Sequence, residues 1–259
     1  MKVSIVTVCF DRDDHLRDGI KWFEAWLQGS IAPGLTIERV VVTDSQVLVG
    51  DMSTGQIAYK IMHRHAVEGP FNKARELNLG AGAASGDYLI FVDVDLLPVF
   101  NYGLLLDCKV LLSSVVFSGY RLDTKIHCLE DLRTSDASQF NVCPEDGGTA
   151  LKKYLLAGHR FGVCPVILRS IFMDIGGFDE EYTGWGGEDQ DLFERAVELQ
   201  GPLVRAPDYL WLHMSHETSK RGWNDADLTL KNRKRYSVGE SRRKLLKKYS
   251  LLPWENFDC

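Results

Sequence analysis

The sequence predicts an α/β protein with a mostly parallel central sheet, and two features carry that expectation. The first hundred residues alternate β-branched apolar runs with segments of helical periodicity, the pattern of an open α/β sheet. The composition, 45% hydrophobic and 25% charged over 259 residues, is that of an ordinary globular chain. It excludes disorder, a coiled coil and a collagen-like rod, and no apolar run approaches the roughly 20 residues that span a bilayer. The length fits one large domain or two small ones at roughly 150 residues each. No repeat, low-complexity stretch or Gly/Ser-rich linker divides it.

The elements follow in order. VSIVTVC (3–9) is a β-branched run suited to a strand buried on both faces. Leu16, Ile20, Phe23 and Leu27, at three- and four-residue steps, predict a helix, ended by Gly29 and Pro33-Gly34. Residues 38–43 read as a second strand stopping at Asp44, and 57–62 as a third. Residues 71–84 read as a helix despite two glycines, closed by Ser85-Gly86, and 87–92 as another buried strand. Residues 123–158 are polar and irregular, a candidate excursion or lid. Residues 161–169 read as a strand and 188–200 as a helix, whose opening acids suit the dipole. The last forty residues read as loop and basic helix.

Net charge is −6, which argues against a nucleic-acid partner. Residues 231–259 carry nine Lys+Arg against three Asp+Glu, a net +6, leaving −12 on the first 230. Residues 231–248, with Leu245, Leu246 and Tyr249 near their end, have two open readings. One is an amphipathic helix making peripheral contact with an anionic membrane, and the other a solvated helix covering the acidic body. None of the six cysteines is spaced C-x-x-C, so a zinc ribbon or redox pair is not expected. Asp11 interrupts the short apolar start, so no signal peptide is read. Reduced thiols and a cytoplasmic location are the expectation, with the inner face of a membrane as the peripheral alternative.

Three constellations carry chemistry. Asp93 and Asp95 close the strongest strand, where α/β sheets bind ligands. In an extended segment they would share a side and jointly hold Mg²⁺ or Mn²⁺ with a diphosphate. His213 and His216 add imidazole nitrogen, which tilts the choice toward Mn²⁺ if the fold brings them to Asp95. Gly184 to Asp191, GWGGEDQD, sets a Trp face between glycines and acids in a first helical turn. An Asp there is kept ionised by the dipole and can take a proton from an alcohol. Asp44 at a strand end can hold a ribose or base, Arg12 a phosphate, and Phe71 can stack on a base. Each of these three, taken alone, reads more readily as structural: a strand-end cap, a surface cation and a core aromatic.

Five segments, CFDRDDHL (9–16), FNKARELNLG (71–80), FVDVDLLP (91–98), GGFDEEYTGWGGEDQDLFERA (176–196) and HMSH (213–216), resemble in order those of the β-1,4-galactosyltransferase family and its bacterial family 2 relatives. The resemblance implies a single GT-A domain. Residues 1–100 would be its nucleotide-sugar half, 101–225 its acceptor and catalytic half, and 226–259 a basic helical tail. It implies Asp95, His213 and His216 as ligands of Mn²⁺, with Mg²⁺ as the alternative. It implies Asp189 as general base and Glu188 as holder of donor or acceptor hydroxyls. Phe10, Arg12, Asp44, Phe71, Asp93, Val94, Trp185 and Gly187 would contact the donor, with Phe71 and Asp44 on uridine and Trp185 closing over the sugar. The partners implied are a UDP-sugar, galactose or N-acetylgalactosamine favoured, and a saccharide or glycoconjugate acceptor, with inversion at the anomeric carbon.

The chain departs from the family in its acidic nucleotide loop (Asp11, Asp13, Asp14) and in Gln190, which interrupts the acidic run. Segment 123–158 has no good match and is expected to shape acceptor choice. Two other classes remain: a metal-dependent hydrolase using D-V-D and H-x-x-H, and a catalytically silent sugar-binding protein on the same fold. The first gives no reason for the Trp-Gly-Gly loop, and the second none for Glu188-Asp189.

Overall fold

Strand β1 (Lys2–Cys9) is apolar on both faces because helices cover both. Val3 and Ile5 enter one core layer and Val6 the other. The computed structural model describes residues 1–27, 33–44, 58–63, 71–101, 103–124, 126–134, 140–141, 163–184, 186–216 and 226–237. After β1 come α1 (Asp13–Leu27), β2 (Thr36–Thr43), β3 (Ala58–His63), α2 (Lys73–Ala83), β4 (Tyr88–Asp93) and β5 (Leu96–Pro98). Then follow α3 (Gly103–Asp107), α4 (Lys109–Leu112), β6 (Val116–Thr124), α5 (Leu129–Thr134), β7 (Phe140–Asn141) and β8 (Val163–Leu168). The described chain closes with α6 (Arg169–Asp174), α7 (Glu188–Gln200), β9 (Leu203–His213) and α8 (Ala226–Ser237).

The strands form one sheet in the order β3-β2-β1-β4-β8-β6-β9-β5, with β7 beside β6. α1 lies on one face, where Phe23 joins Phe117, Tyr209 and Trp211 in the core. Its Trp22 and Trp26 indoles donate to the carbonyls of Pro98 and Phe100, each at 2.7 Å. α2, α6 and α7 cover the other face through Leu77, Phe172 and Phe193. No helix among the described residues is long and apolar enough to cross a membrane.

The α/β class is as expected, and the sheet is mixed in direction. β1, β2, β3 and β4 pair in parallel, as does β6 with β9. β8 runs antiparallel to β4 and β6, and β5 antiparallel to β9. An apolar run reports burial on both faces and carries no sign of direction. β6 and β9 also went unread. Gly119 breaks the first, and Pro207, which cannot donate to a ladder, breaks the second. The two interruptions meet at one irregularity, where the register jumps between Ser118/Arg205 and Tyr120/Leu210. A Cβ on Gly119 would lie 1.7 Å from the Tyr209 carbonyl oxygen, so only glycine fits there.

Glu38 ties together the N-terminal ends of β1, β2 and β4. Its carboxylate, 2% exposed, accepts from the Ser4 hydroxyl at 2.5 Å and from the Ser85 amide and hydroxyl at 2.5 and 2.6 Å. Lys60 stands 3.3 Å away. Burial pushes the carboxyl up, but these donors together outweigh it and hold it at about 2, below its ordinary 4.5. A depressed acid stabilises the fold above its unfolded pKa and stops doing so as pH falls through its folded one. Wild-type stability should therefore fall between about pH 4.5 and about pH 2, and Glu38→Gln should flatten that part of the curve. Denaturant midpoints across the window measure it.

Candidate active site

The site forms where β1, β4 and β9 end and β5 begins. β5 pairs antiparallel with β9, Leu96 opposite His213, and the Met214 amide donates to the Asp95 carbonyl at 2.9 Å. This register sets His213 and His216 against Asp95. The ligating atoms of the three side chains all lie within 4.8 Å of one another. Asp95 Oδ2 is 3.0 Å from His216 Nε2 and 3.7 Å from His213 Nε2. One buried carboxylate and two imidazoles at a strand edge are a donor set that could hold a divalent cation. Burial pushes the Asp95 carboxyl up, but His213, His216 and Arg12 outweigh it and hold it well below the carboxylate range.

Asp93 does not share that cluster. It closes β4, and Val94-Asp95 turns before β5 begins, so the two carboxylates diverge where an extended segment would align them. Asp93 instead meets Lys73 Nζ at 2.8 Å. Val94 packs its side chain with Cys9, Leu16 and Val41, leaving only its backbone for a ligand. Arg12, expected at a phosphate, lies against Asp95 Oδ2 at 2.5 Å and His216 Nδ1 at 3.2 Å.

Lys73 was not singled out by the sequence reading. It lies 3.7 Å from Glu188 and 3.9 Å from Asp189 as well, so one ammonium joins β4 to the acid pair. Its signal was a cation in the first turn of a helix, where the dipole disfavours it. Asn72, the N-cap of α2, accepts from the Arg75 amide at 3.0 Å and fixes that turn. Glu188 is buried while Asp189 is exposed. Burial, then the neighbouring Asp189 charge, push the Glu188 carboxyl up, and Lys73 only partly opposes them. Gly187 caps α7 at φ 98°, and a Cβ there would lie 2.8 Å from Tyr182. A pocket of about 590 Å³, open mouth included, is lined by Lys73, Asp93, Arg121, Cys164 and Asp189.

Phe71 stacks on Phe10, ring centroids 4.9 Å apart and planes at 22°. Asp44 follows β2 and is exposed. Trp185 lies outside the described residues, as does most of 123–158. His15, another residue the sequence reading passed over, packs its ring edge-on to His216 at 6.1 Å.

Residues 150–217 match the family model described as the N-terminal domain of galactosyltransferase. Human β-1,4-galactosyltransferase 2 is 31% identical over 153 residues, 57% of this chain and 32% of its own length. Mouse chondroitin sulfate N-acetylgalactosaminyltransferase 2 is 31% identical over 157 residues, 57% of this chain and 27% of its own. The chain thus spans about a third of the length of the curated relatives it matches. Its fold matches that of S. aureus TarS 1-349, solved in complex with UDP-GlcNAc. The TM-score is 0.62 at 16% identity, covering 99% of this chain and 74% of that one. This chain resembles the β-1,4-galactosyltransferases and has the GT-A fold.

The galactosyltransferase-like segment holds Glu188, Asp189, His213 and His216, while Arg12, Lys73, Asp93 and Asp95 come from outside it. α8 also lies outside it and braces the loop before α7. Asn232 Nδ2 donates to the Thr183 carbonyl at 2.8 Å, and Arg235 Nε to Asp179 at 2.8 Å. Arg235 therefore faces inward, unavailable to a lipid surface, and the tail beyond Ser237 lies outside the described residues. Arg195 of α7 pairs with Asp191 at 2.6 Å, both buried, and donates to the Ile175 and Gly177 carbonyls. Removing one member of a buried pair strands the other charge, at a cost of roughly 3–5 kcal/mol. Asp191→Ala should lower unfolding free energy by about that much, read from denaturant curves, while Asp14→Ala at the exposed pair with Arg17 should change it by less than about 1 kcal/mol.

Proposed function

We propose that the chain is an inverting, metal-dependent glycosyltransferase that moves a hexose from a UDP-sugar to a hydroxyl of a saccharide or glycoconjugate. The reading is supported by two groupings near the end of β4: the Asp95, His213 and His216 cluster just past it, and Lys73, which joins Asp93 at its end to Glu188 and Asp189. The names of the relatives, a galactosyltransferase and an N-acetylgalactosaminyltransferase, favour UDP-galactose or UDP-N-acetylgalactosamine as donor.

Asp95, His213 and His216 would hold the cation, and their two nitrogen donors favour Mn²⁺ over Mg²⁺. When bound, it supplies positive charge against the charge developing on the leaving diphosphate. The chain's residues do the rest. The Phe10–Phe71 pair offers a flat apolar shelf for a base. Glu188, with its proton held by burial, donates a hydrogen bond to a sugar hydroxyl. Asp189, exposed at the mouth of the pocket, accepts the proton of the attacking hydroxyl. Lys73 offsets the charges of Asp93 and Asp189, which lie close together beside the protonated Glu188.

A general base contributes roughly 10²–10⁴-fold, so Asp189→Asn should lose about that much turnover and keep its UDP affinity. Asp95→Ala should lose the Mn²⁺-dependent part of UDP binding. Chromatography of UDP and sugar products, with calorimetry for binding, reads both. Unchanged turnover in Asp189→Asn overturns the base assignment. Release of free sugar at a rate indifferent to every saccharide acceptor would favour a hydrolase.

A further inference from the structure

Arg12 stands where a bound cation would act. Its Nη1 lies 2.5 Å from Asp95 Oδ2, and its Nη2 lies 3.2 Å from His216 Nδ1. The same Oδ2 faces His216 Nε2 at 3.0 Å and His213 Nε2 at 3.7 Å. A single carboxylate oxygen thus receives the guanidinium while facing both imidazoles. A carboxylate this buried, 3% exposed, needs a positive partner, and Arg12 supplies one.

Hydrogen-bond polarity makes the guanidinium and a metal alternatives at this place. A guanidinium only donates. Its contact with His216 makes Nδ1 the acceptor and puts the ring proton on Nε2, facing Asp95. A metal at Nε2 needs the lone pair of that nitrogen, which moves the ring proton to Nδ1. Nδ1–H and Nη2–H would then meet as two donors. The Arg12 backbone is held, since its carbonyl accepts from the Leu16 amide at 3.1 Å at the start of α1, so the motion required is that of the side chain.

We propose that Arg12 is a built-in stand-in for the cation, neutralising Asp95 in the metal-free protein and leaving both Asp95 and His216 when a divalent ion binds. This rests on the reading of Asp95, His213 and His216 as the cation site. A displaced guanidinium needs an anion that matches its planar fork, and the diphosphate of a nucleotide is such an anion. Cation and nucleoside diphosphate then help each other, because each takes one member of the Arg12–Asp95 pair. Linkage requires the help to be equal in both directions.

Calorimetric titration of the full chain with Mn²⁺, alone and with saturating UDP, tests this. Arg12→Ala should bind Mn²⁺ alone about tenfold or more tighter than wild type, and the tightening that UDP gives should shrink by a similar factor. Arg12→Lys keeps the charge but cannot span Asp95 and His216 together, so its Mn²⁺ affinity should fall between the two. Equal Mn²⁺ affinity in wild type and Arg12→Ala overturns the proposal. A wild-type affinity in Arg12→Lys overturns it too, by making Arg12 a nearby charge and not an occupant. Asp95→Ala separates the two readings: if it binds Mn²⁺ as wild type does, the cation site itself falls and this inference with it. Melting curves guard against misfolding. Arg12→Ala should melt below wild type without metal, and Mn²⁺ should raise its midpoint by more than it raises wild type's. Equal rises would count against the stand-in.

Discussion

The pairing of β5 with β9 is the constraint on which the site depends. β5 is only three residues long, yet its register with β9 places His213 opposite Leu96 and so beside Asp95. The Met214-to-Asp95 backbone bond locks the same register one step further on. A slip of one residue would turn His213 to the other face of the sheet and dissolve the cluster. The β9 side of that register is itself secured by β6, whose Gly119 admits the Tyr209 carbonyl at the irregularity. Packing from α1, through its tryptophan bonds to Pro98 and Phe100, keeps the short β5 edge in place.

Charge balance is the second organising force. Four carboxylates, Asp93, Asp95, Glu188 and Asp189, and two imidazoles, His213 and His216, gather at the site, and two cations from the N-terminal half hold the acids. Lys73 serves Asp93, Glu188 and Asp189, and Arg12 serves Asp95. The acid pair rides on the first turn of α7, whose dipole favours negative charge. Its shielded member, Glu188, is driven toward the neutral form by burial, whereas Asp189 is exposed. Two neighbouring carboxylates in different surroundings can take different roles.

Much of the first hundred residues was readable in the sequence. β1, β2, β3, β4, α1 and α2 begin and end within two residues or so of the expected bounds, because each is a buried run or an amphipathic stripe closed by Gly, Pro or a cap. α7 spans 188–200 as the acids at its start suggested. β6 and β9 escaped notice because a glycine and a proline broke their patterns, and those breaks are compensated only by each other across the sheet. At the site, the three metal-ligand candidates came together as the motifs implied. The D-V-D pair parted, since a turn after Asp93 replaced the extended geometry. Lys73 and the brace from α8 were missed, one being an ordinary lysine in sequence and the other a contact made across 49 to 56 residues.

By itself the sequence determined the chemistry available: a strand-end aspartate, a late histidine pair, a glycine-rich turn and acids opening a helix. It also determined which segments would be buried, because hydrophobic periodicity is a local property. Only the tertiary structure decided which of these groups meet. Strand direction, the β5–β9 register and the partners of Arg12 and Lys73 depend on contacts between residues far apart in the chain. Asp95 and His213 carry no mark of one another in sequence, and they become neighbours because two distant strands pair in one register and no other.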